Sequence, residues 1–137
     1  MRLDLTRRAD YAIRAVLALG RVTDDGRLSV RRVAAAQRIP AQFLPPIMRD
    51  LVRAGVAEST TGRAGGYRLA RPAAEVSLLD VIEAVEGDSR QGTCILRDGP
   101  CALSAVCDVH DVVVAAQEAL RDRLAGVSVA DLTRPRT

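Results

Sequence analysis

Apolar residues recur every three or four positions along most of the chain, a spacing that predicts a mainly helical protein. The pattern predicts helices over residues 6–19, 29–38, 45–55, 77–87 and 104–125, and a short last helix from residue 128. Thr6, Ser29, Ser77 and Ser128 stand where side chains commonly cap a helix N-terminus. In the first helix, Ile13, Val16 and Leu17 form the expected buried stripe, and Gly20 ends the helix.

The second and third predicted helices are short and lie close together in the sequence. Pro45 and Pro46 would fall inside the third helix if it began at Ala41, and proline is tolerated only in the first turn. We therefore expect a tight turn over residues 41–44 and regular helix from about Pro45. Two short helices joined by a tight turn indicate a helix-turn-helix.

Two short strands are predicted over residues 56–59 and 67–69, and a glycine-rich loop with one arginine, Arg63, separates them. A hairpin that directly follows a helix-turn-helix is a wing. The predicted fold class is therefore mainly α with a small β wing: a winged helix-turn-helix domain over residues 1–76, followed by a second part over residues 77–137.

Composition and charge narrow the function. Aromatic residues make up only 2% of the 137 residues, so the core must be built from Ala, Val, Leu and Ile. No apolar run approaches the ~18 residues of a membrane span and no signal-peptide pattern follows Met1, so we expect a cytoplasmic protein with reduced thiols. Residues 1–76 carry 14 Arg against 7 Asp and Glu, whereas residues 77–137 carry 6 against 10. A basic first half indicates a polyanionic partner such as double-stranded DNA, although a solvated arginine-rich surface would give the same charge pattern.

The three cysteines and the single histidine of the chain lie within one short stretch: Cys94, Cys101, Cys107 and His110. Three thiolates and an imidazole can complete a four-coordinate metal site. The spacing is wider than zinc knuckles favour and suits an iron–sulfur cluster, but it does not prove one. Redox-active thiols and inert buried thiols are the other interpretations.

Ser104 is the expected N-cap of the fifth helix, which would place Cys107 and His110 on one helix face and favour the thiolate form of Cys107. Further along that helix, apolar residues recur in a long, narrow stripe at Val109, Val113, Ala116, Leu120 and Leu124. Such a stripe beside a small domain predicts helix pairing in a homodimer, although packing within its own chain would give the same pattern.

In combination, three motifs resemble the family of IscR and NsrR, which are dimeric winged-helix transcription regulators with an iron–sulfur cluster. The motifs are residues 7–12 (RRADYA), residues 65–69 (GGYRL) and the pattern Cys94, Cys101, Cys107 and His110. The resemblance covers nearly the whole chain. It implies that the three cysteines ligate a cluster, with residues 77–137 forming the cluster-binding loop and the dimerisation helix.

The fourth ligand varies within that family, so the cluster type stays open between two and four irons. IscR-like members use a histidine just beyond the third cysteine, here His110, whereas NsrR-like members use an aspartate early in the first helix of the other subunit, here Asp10. Asp10 also has a structural interpretation, because it suits a helix first turn or an ion pair with an arginine. Thr61 stands where IscR-like wings carry an arginine, so the target DNA sequence does not transfer.

We therefore expect a DNA-binding regulator whose affinity is switched by a cluster that senses redox state, nitric oxide or iron–sulfur supply, rather than an enzyme with a small-molecule substrate. A zinc- or thiol-based switch on the same fold is the alternative. Residues 41–51 would enter the major groove, with Gln42 as the best base reader. The remaining expected DNA contacts are Arg31, Arg32, Ala41, Arg49, Arg53 and Arg63.

Overall fold

The computed structural model describes residues 5–22, 26–63, 65–87 and 107–135. These residues form six α-helices and one two-stranded sheet. The helices are α1 (Arg7–Gly20), α2 (Val30–Gln37), α3 (Leu44–Arg53), α4 (Leu78–Glu86), α5 (His110–Ala125) and α6 (Val129–Thr133). The strands are β1 (Ala57–Thr60) and β2 (Gly66–Leu69), and short 3₁₀ helices cover Ala41–Phe43 and Ala73–Glu75.

Four of the five predicted helix caps are confirmed. The side chains of Thr6 and Ser29 accept hydrogen bonds from backbone N–H groups in the first turns of α1 and α2. Ser77 and Ser128 each form a capping box with an aspartate three residues later, which satisfies two backbone donors at each helix start. Local side-chain chemistry therefore sets where these helices begin.

Helix α1 lies at the centre of the fold and packs against α2, α3, α4, α6 and β2. Its buried side chains are mostly alanines: Ala9, Ala12, Ala15, Val16, Ala18 and Leu19. Of the predicted stripe, Val16 is buried, whereas Ile13 and Leu17 are only half-buried. The prediction followed the larger side chains, but a helix surrounded by five elements needs small ones. Gly20 obeys the same constraint, because an added Cβ would lie 2.7 Å from Cγ1 of Val129 in α6.

The helix-turn-helix has the expected shape. Arg38 ends α2 in the left-handed conformation, and a 3₁₀ turn over Ala41–Phe43 leads into α3. Because α3 begins at Leu44, Pro45 and Pro46 occupy its first turn, where proline costs little. The predicted turn and helix start are thus confirmed to within one residue.

The wing is an antiparallel hairpin in which Ala57 pairs with Leu69 and Thr60 with Gly66. Its second strand also pairs with Leu28, just before α2: the N–H of Tyr67 donates to the Leu28 carbonyl at 2.8 Å, and the Leu28 N–H donates back at 2.9 Å. Gly66 has a φ of +144°, and an added Cβ would meet the Leu28 oxygen at 2.8 Å, so only glycine fits there. The base of the wing is therefore fixed to the helix-turn-helix.

The residues after 76 share the core of the first part. Val81 of α4 and Val129 of α6 belong to the same buried cluster as Val16 and Leu51. Two backbone hydrogen bonds of 2.8 Å, from Leu78 N–H to the Val127 carbonyl and from Val129 N–H to the Val76 carbonyl, join the starts of α4 and α6.

Helix α5 differs from the other helices in having no buried residue. Val109, Val112 and Leu120 are 45%, 71% and 50% exposed. The prediction that this helix already includes residues 107–109 is wrong, because the Cys107 carbonyl accepts from the His110 N–H at 3.2 Å and closes a turn there. The predicted start at Ser104 lies outside the described residues.

None of the helices in the described ranges combines the length and the apolar character that a membrane crossing requires.

Candidate nucleic-acid interface and cluster ligands

One exposed face of α3 and the turn before it carries the residues expected to read DNA. Gln42, Pro45, Arg49 and Arg53 are all exposed, and their spacing of three, four and four places them along one side of the helix. Ala41 is also exposed, in the 3₁₀ turn. The opposite face is anchored by Leu44, Ile47, Met48 and Leu51, which are at most 2% exposed. The exposed face is therefore presented on a rigidly packed helix.

The other predicted DNA-contacting arginines are exposed too. Arg31 and Arg32 lie in the first turn of α2, and Arg63 lies in the turn between the two strands of the wing. Among the described residues, these three arginines and Arg49 have no carboxylate partner. Their charge is available to a phosphate backbone.

Arg53 is in a different electrostatic environment from the other predicted arginines. The half-buried carboxylate of Asp50 forms an ion pair with Arg8 of α1 and lies 3.7 Å from Nη1 of Arg53. Asp50 therefore partly neutralises Arg53 and ties the recognition helix to α1. No local pattern predicts the Arg8–Asp50 pair, because the two residues are 42 positions apart in the chain.

A cleft of about 350 Å³ separates the exposed face of α3 from the wing. We call it the helix–wing cleft. It is lined by Pro45, Arg49, Val52, Arg53, Ser59 and Tyr67. Ser59 and Tyr67 were not expected to take part in the interface, although their facing positions in the two predicted strands place them side by side.

Asp10, one of the two candidates for a fourth ligand, is exposed in the first turn of α1 and pairs with Arg14 one turn later. Its Oδ2 lies 3.0 Å from Nη2 of Arg14, while Nη1 of Arg14 donates to the Gln37 carbonyl at 2.7 Å. The guanidinium also lies 5.0 Å from the centre of the Tyr11 ring, within reach of a cation–π interaction. Arg14 thus connects Asp10 to the end of α2, directly before the helix-turn-helix turn.

The contact between Arg14 and Tyr11 extends to the reading segment, by which we mean residues 41–51. The Tyr11 ring is 5.8 Å from the ring of Phe43, centre to centre, and Phe43 follows Gln42 in the 3₁₀ turn. Asp10, Arg14, Tyr11 and Phe43 therefore form a continuous chain of contacts on one side of α1.

Cys107 and His110, the other candidate ligands in the described residues, are both half-buried at the start of α5. The prediction that they share a helix face is wrong, because Cys107 precedes the helix. The turn nevertheless keeps them adjacent. Val109, the N-cap residue of α5, has no side-chain hydrogen bond to the helix, so no such side chain competes with an anionic thiolate for the first-turn N–H groups.

Cys94 and Cys101 lie outside the described residues. Within those residues, no group of three or more His, Cys, Asp and Glu side chains is placed to hold a metal ion. Cys107 and His110 supply one soft thiol and one imidazole, which are donors that suit iron–sulfur or zinc chemistry.

Comparison with known proteins gives a consistent picture. A family model described as Rrf2, iron-dependent transcriptional regulator, matches residues 5–135. The HTH-type transcriptional regulator NsrR of Geobacillus kaustophilus (strain HTA426) is 31% identical over 135 residues, which cover 98% of this chain and 92% of that protein.

Solved structures match over nearly the whole chain. CymR, the global cysteine regulator of B. subtilis, superposes with a TM-score of 0.78 at 20% identity and covers 96% of this chain and 97% of its own. IscR of T. potens gives a TM-score of 0.74 at 22% identity, with 95% and 85% covered. These likenesses show the winged-helix fold.

The contacts of Arg14 predict unequal stability effects at the two ends of this ion pair. Asp10→Asn should lower the free energy of unfolding by less than ~1 kcal/mol, because the pair is exposed. Arg14→Gln should cost more, about 1.5–3 kcal/mol, because it removes a charged donor from the Gln37 carbonyl. Urea unfolding measures both. Equal losses would show that Asp10, rather than Gln37, is what Arg14 holds.

Proposed function

The chain belongs to the Rrf2 family of DNA-binding transcriptional regulators, and we propose that an iron–sulfur cluster held by Cys94, Cys101 and Cys107 sets its affinity for a specific DNA sequence. The observation that carries the DNA-binding part is the exposed face formed by Gln42 in the 3₁₀ turn and by Arg49 and Arg53 on α3, which lies beside an arginine-bearing wing. The cluster part is supported by the Cys107 and His110 pair at the start of α5 and by the three-cysteine pattern.

In this proposal α3 and the turn before it enter the major groove. Gln42 reads a base, since a glutamine amide can pair bidentately with adenine. Arg31, Arg32 and Arg49 contact phosphates, and Arg63 contacts a phosphate or the minor groove. Arg53 makes a weaker contribution than the other arginines, because Asp50 already lies beside it.

The residues that would hold the cluster are the three cysteines and either His110 or Asp10 of the partner subunit. When bound, the cluster supplies a centre that responds to redox state, nitric oxide or iron–sulfur supply by being oxidised or lost. Asp10 is exposed, and within the described residues its ion-pair partner is Arg14, so its carboxylate is accessible to another subunit. His110 is already beside Cys107 in the same chain.

The chain's own contacts indicate how such a change would reach DNA. An Asp10 carboxylate that ligates metal no longer neutralises Arg14, and Arg14 donates to the last residue of α2. Its neighbour Tyr11 contacts Phe43 in the reading segment. A change at Asp10 therefore alters contacts at both ends of the helix-turn-helix turn.

A zinc- or thiol-based switch on the same fold is the alternative, since the same cysteines could bind zinc or be oxidised. We propose that the protein works in the cytoplasm as a homodimer without a small-molecule substrate. The dimer is supported by Val112 and Leu120 of α5 and by Val109 just before it, which are exposed in the single chain. The family's members are regulators, and we expect no catalytic turnover.

Removing cysteines tests the cluster. Protein purified without oxygen should absorb visible light and contain iron and sulfide. Each of the substitutions Cys94→Ala, Cys101→Ala and Cys107→Ala should abolish all three signals. His110→Ala and Asp10→Ala should differ in their effect on the spectrum, with the larger loss from Asp10→Ala. Asp111→Ala, an exposed carboxylate beside His110, is the control and should retain the full cluster. Colourless protein with bound zinc would support the alternative.

Two substitutions separate base reading from phosphate contact. Gln42→Ala should cost ~1–3 kcal/mol on a duplex selected by the wild-type protein and little on random DNA. Arg63→Ala should weaken binding to both and flatten the dependence of log affinity on log salt by about one unit. The control Arg123→Ala removes the same charge from the end of α5. All proteins must be compared in one cluster state, and equal losses for Gln42→Ala on both duplexes would contradict our placement of the reading segment.

A charge on α5 tests the dimer. Val112→Glu should give a monomer at concentrations where the wild-type chain is a dimer, because Val112 is 71% exposed in the single chain and would be buried with an unpaired charge in the dimer. Light scattering after gel filtration measures the mass. Ala74→Glu adds the same charge at another exposed position and should leave the dimer intact. A dimer in both variants would place the interface elsewhere.

A further inference from the structure

The helix–wing cleft has a lining that the contacts proposed so far do not explain. Two arginines of α3 border it on one side, and two hydroxyl side chains of the wing, Ser59 and Tyr67, border it on the other. Among the described residues that line it, none carries a negative charge. A cleft with two cations, two neutral donors and no carboxylate is chemically suited to a phosphate group.

The hydroxyl side is held in place by the sheet. Ser59 of β1 and Tyr67 of β2 are directly paired in the antiparallel register, so their side chains lie on the same face of the hairpin. Tyr67 is also fixed from the other edge by its two backbone hydrogen bonds to Leu28. Its half-buried ring packs against the core, which limits the positions that its hydroxyl can take.

The cation side is held by α3. Arg49 and Arg53 are one turn apart on the exposed face, and Val52 between them is half-buried against the wing side. Arg49 has no carboxylate partner among the described residues. Arg53 is 3.7 Å from Asp50, a distance at which a nearby phosphate can compete for the guanidinium.

We propose that the helix–wing cleft binds one backbone phosphate of DNA, with the hydroxyls of Ser59 and Tyr67 donating to it alongside Arg49 and Arg53. This rests on the proposed DNA-binding function and adds two contacts to it. A phosphate bound between α3 and the wing fixes the angle at which both enter the duplex. The site therefore positions Gln42 without reading sequence itself.

Hydroxyl deletions provide the test, with the full-length protein in one cluster state. Tyr67→Phe and Ser59→Ala should each weaken binding by up to roughly tenfold, by the same factor on random and on selected duplexes. Their salt slope should equal that of the wild-type protein, because no charge is removed, whereas Arg49→Gln should flatten it by about one unit. Thr133→Val removes a hydroxyl from α6, outside the cleft lining, and should bind as the wild type does.

Removing the charge of single DNA phosphates, instead of protein side chains, identifies which phosphate occupies the cleft. In a selected duplex whose phosphates are replaced one at a time by methylphosphonate, the Tyr67→Phe effect should disappear at a single position in each half-site. Thermal melting should show Tyr67→Phe as stable as the wild type, so that the loss is not one of folding.

Three results would overturn the proposal: unchanged binding in both hydroxyl variants, a loss confined to the selected duplex, or a Tyr67→Phe effect that survives every methylphosphonate. Inorganic phosphate that displaces the duplex beyond its ionic-strength effect would show a free-anion site instead. If the wild-type protein bound no duplex in any cluster state, the proposed function itself would fail and the cleft proposal with it. Wild-type binding with unaffected hydroxyl variants would reject the cleft alone.

Discussion

The alanine face of α1 is the constraint on which the rest of the structure depends. Ala9, Ala12, Ala15 and Ala18 let five other elements approach one helix closely. A larger side chain in such a packed position typically costs about 1–3 kcal/mol. Because this face is fully used for packing, the other side of α1 is left for polar residues. It is there that Arg14 contacts both Asp10 and the last residue of α2.

The same packing makes the helix-turn-helix and the wing a rigid unit. The buried side chains of α3 fix its exposed face, Asp50 ties α3 to Arg8, and the wing is bonded to the segment before α2. An interface built in this way can respond to a signal only by moving as a whole or by shifting at the turn between α2 and α3. The proposed cleft contact would use that rigidity, since a phosphate held between helix and wing is useful only if both sides keep their spacing.

Much of the fold could be predicted from the sequence because its signals are local. Caps such as Ser77, the start of α3 directly before Pro45 and the glycine-rich wing each depend on residues a few positions apart. The contacts that could not be predicted join distant residues: Arg8 to Asp50, and Arg14 to the Gln37 carbonyl. The Asp50–Arg53 pair is local, because the two residues stand three positions apart on one helix, and this spacing distinguishes Arg53 from Arg49.

The positions of the candidate cluster ligands could also be predicted only in part from the sequence. The sequence places Cys107 and His110 three positions apart, which fits a helix face and a turn equally well, and the structure has the turn. The seven expected DNA-contacting residues are all exposed, as a reading surface requires, but exposure could be expected for most arginines. That Ser59 and Tyr67 border a cleft beside α3 follows from the cross-strand register and from the packing of α3 against β1, which the sequence pattern does not provide.

The small interaction energy of the Asp10–Arg14 pair limits how far its release could change DNA affinity. A bound group shifts an equilibrium only by its difference in interaction energy between two states. The Asp10–Arg14 pair is more than half exposed on the carboxylate side, and such pairs contribute less than ~1 kcal/mol, which corresponds to about fivefold in affinity. Release of Arg14 alone would therefore give a weak regulator. A larger change in DNA affinity requires that ligation also reposition one subunit on the other. Within the described residues, the exposed apolar side chains of α5 are available for the interface that would move.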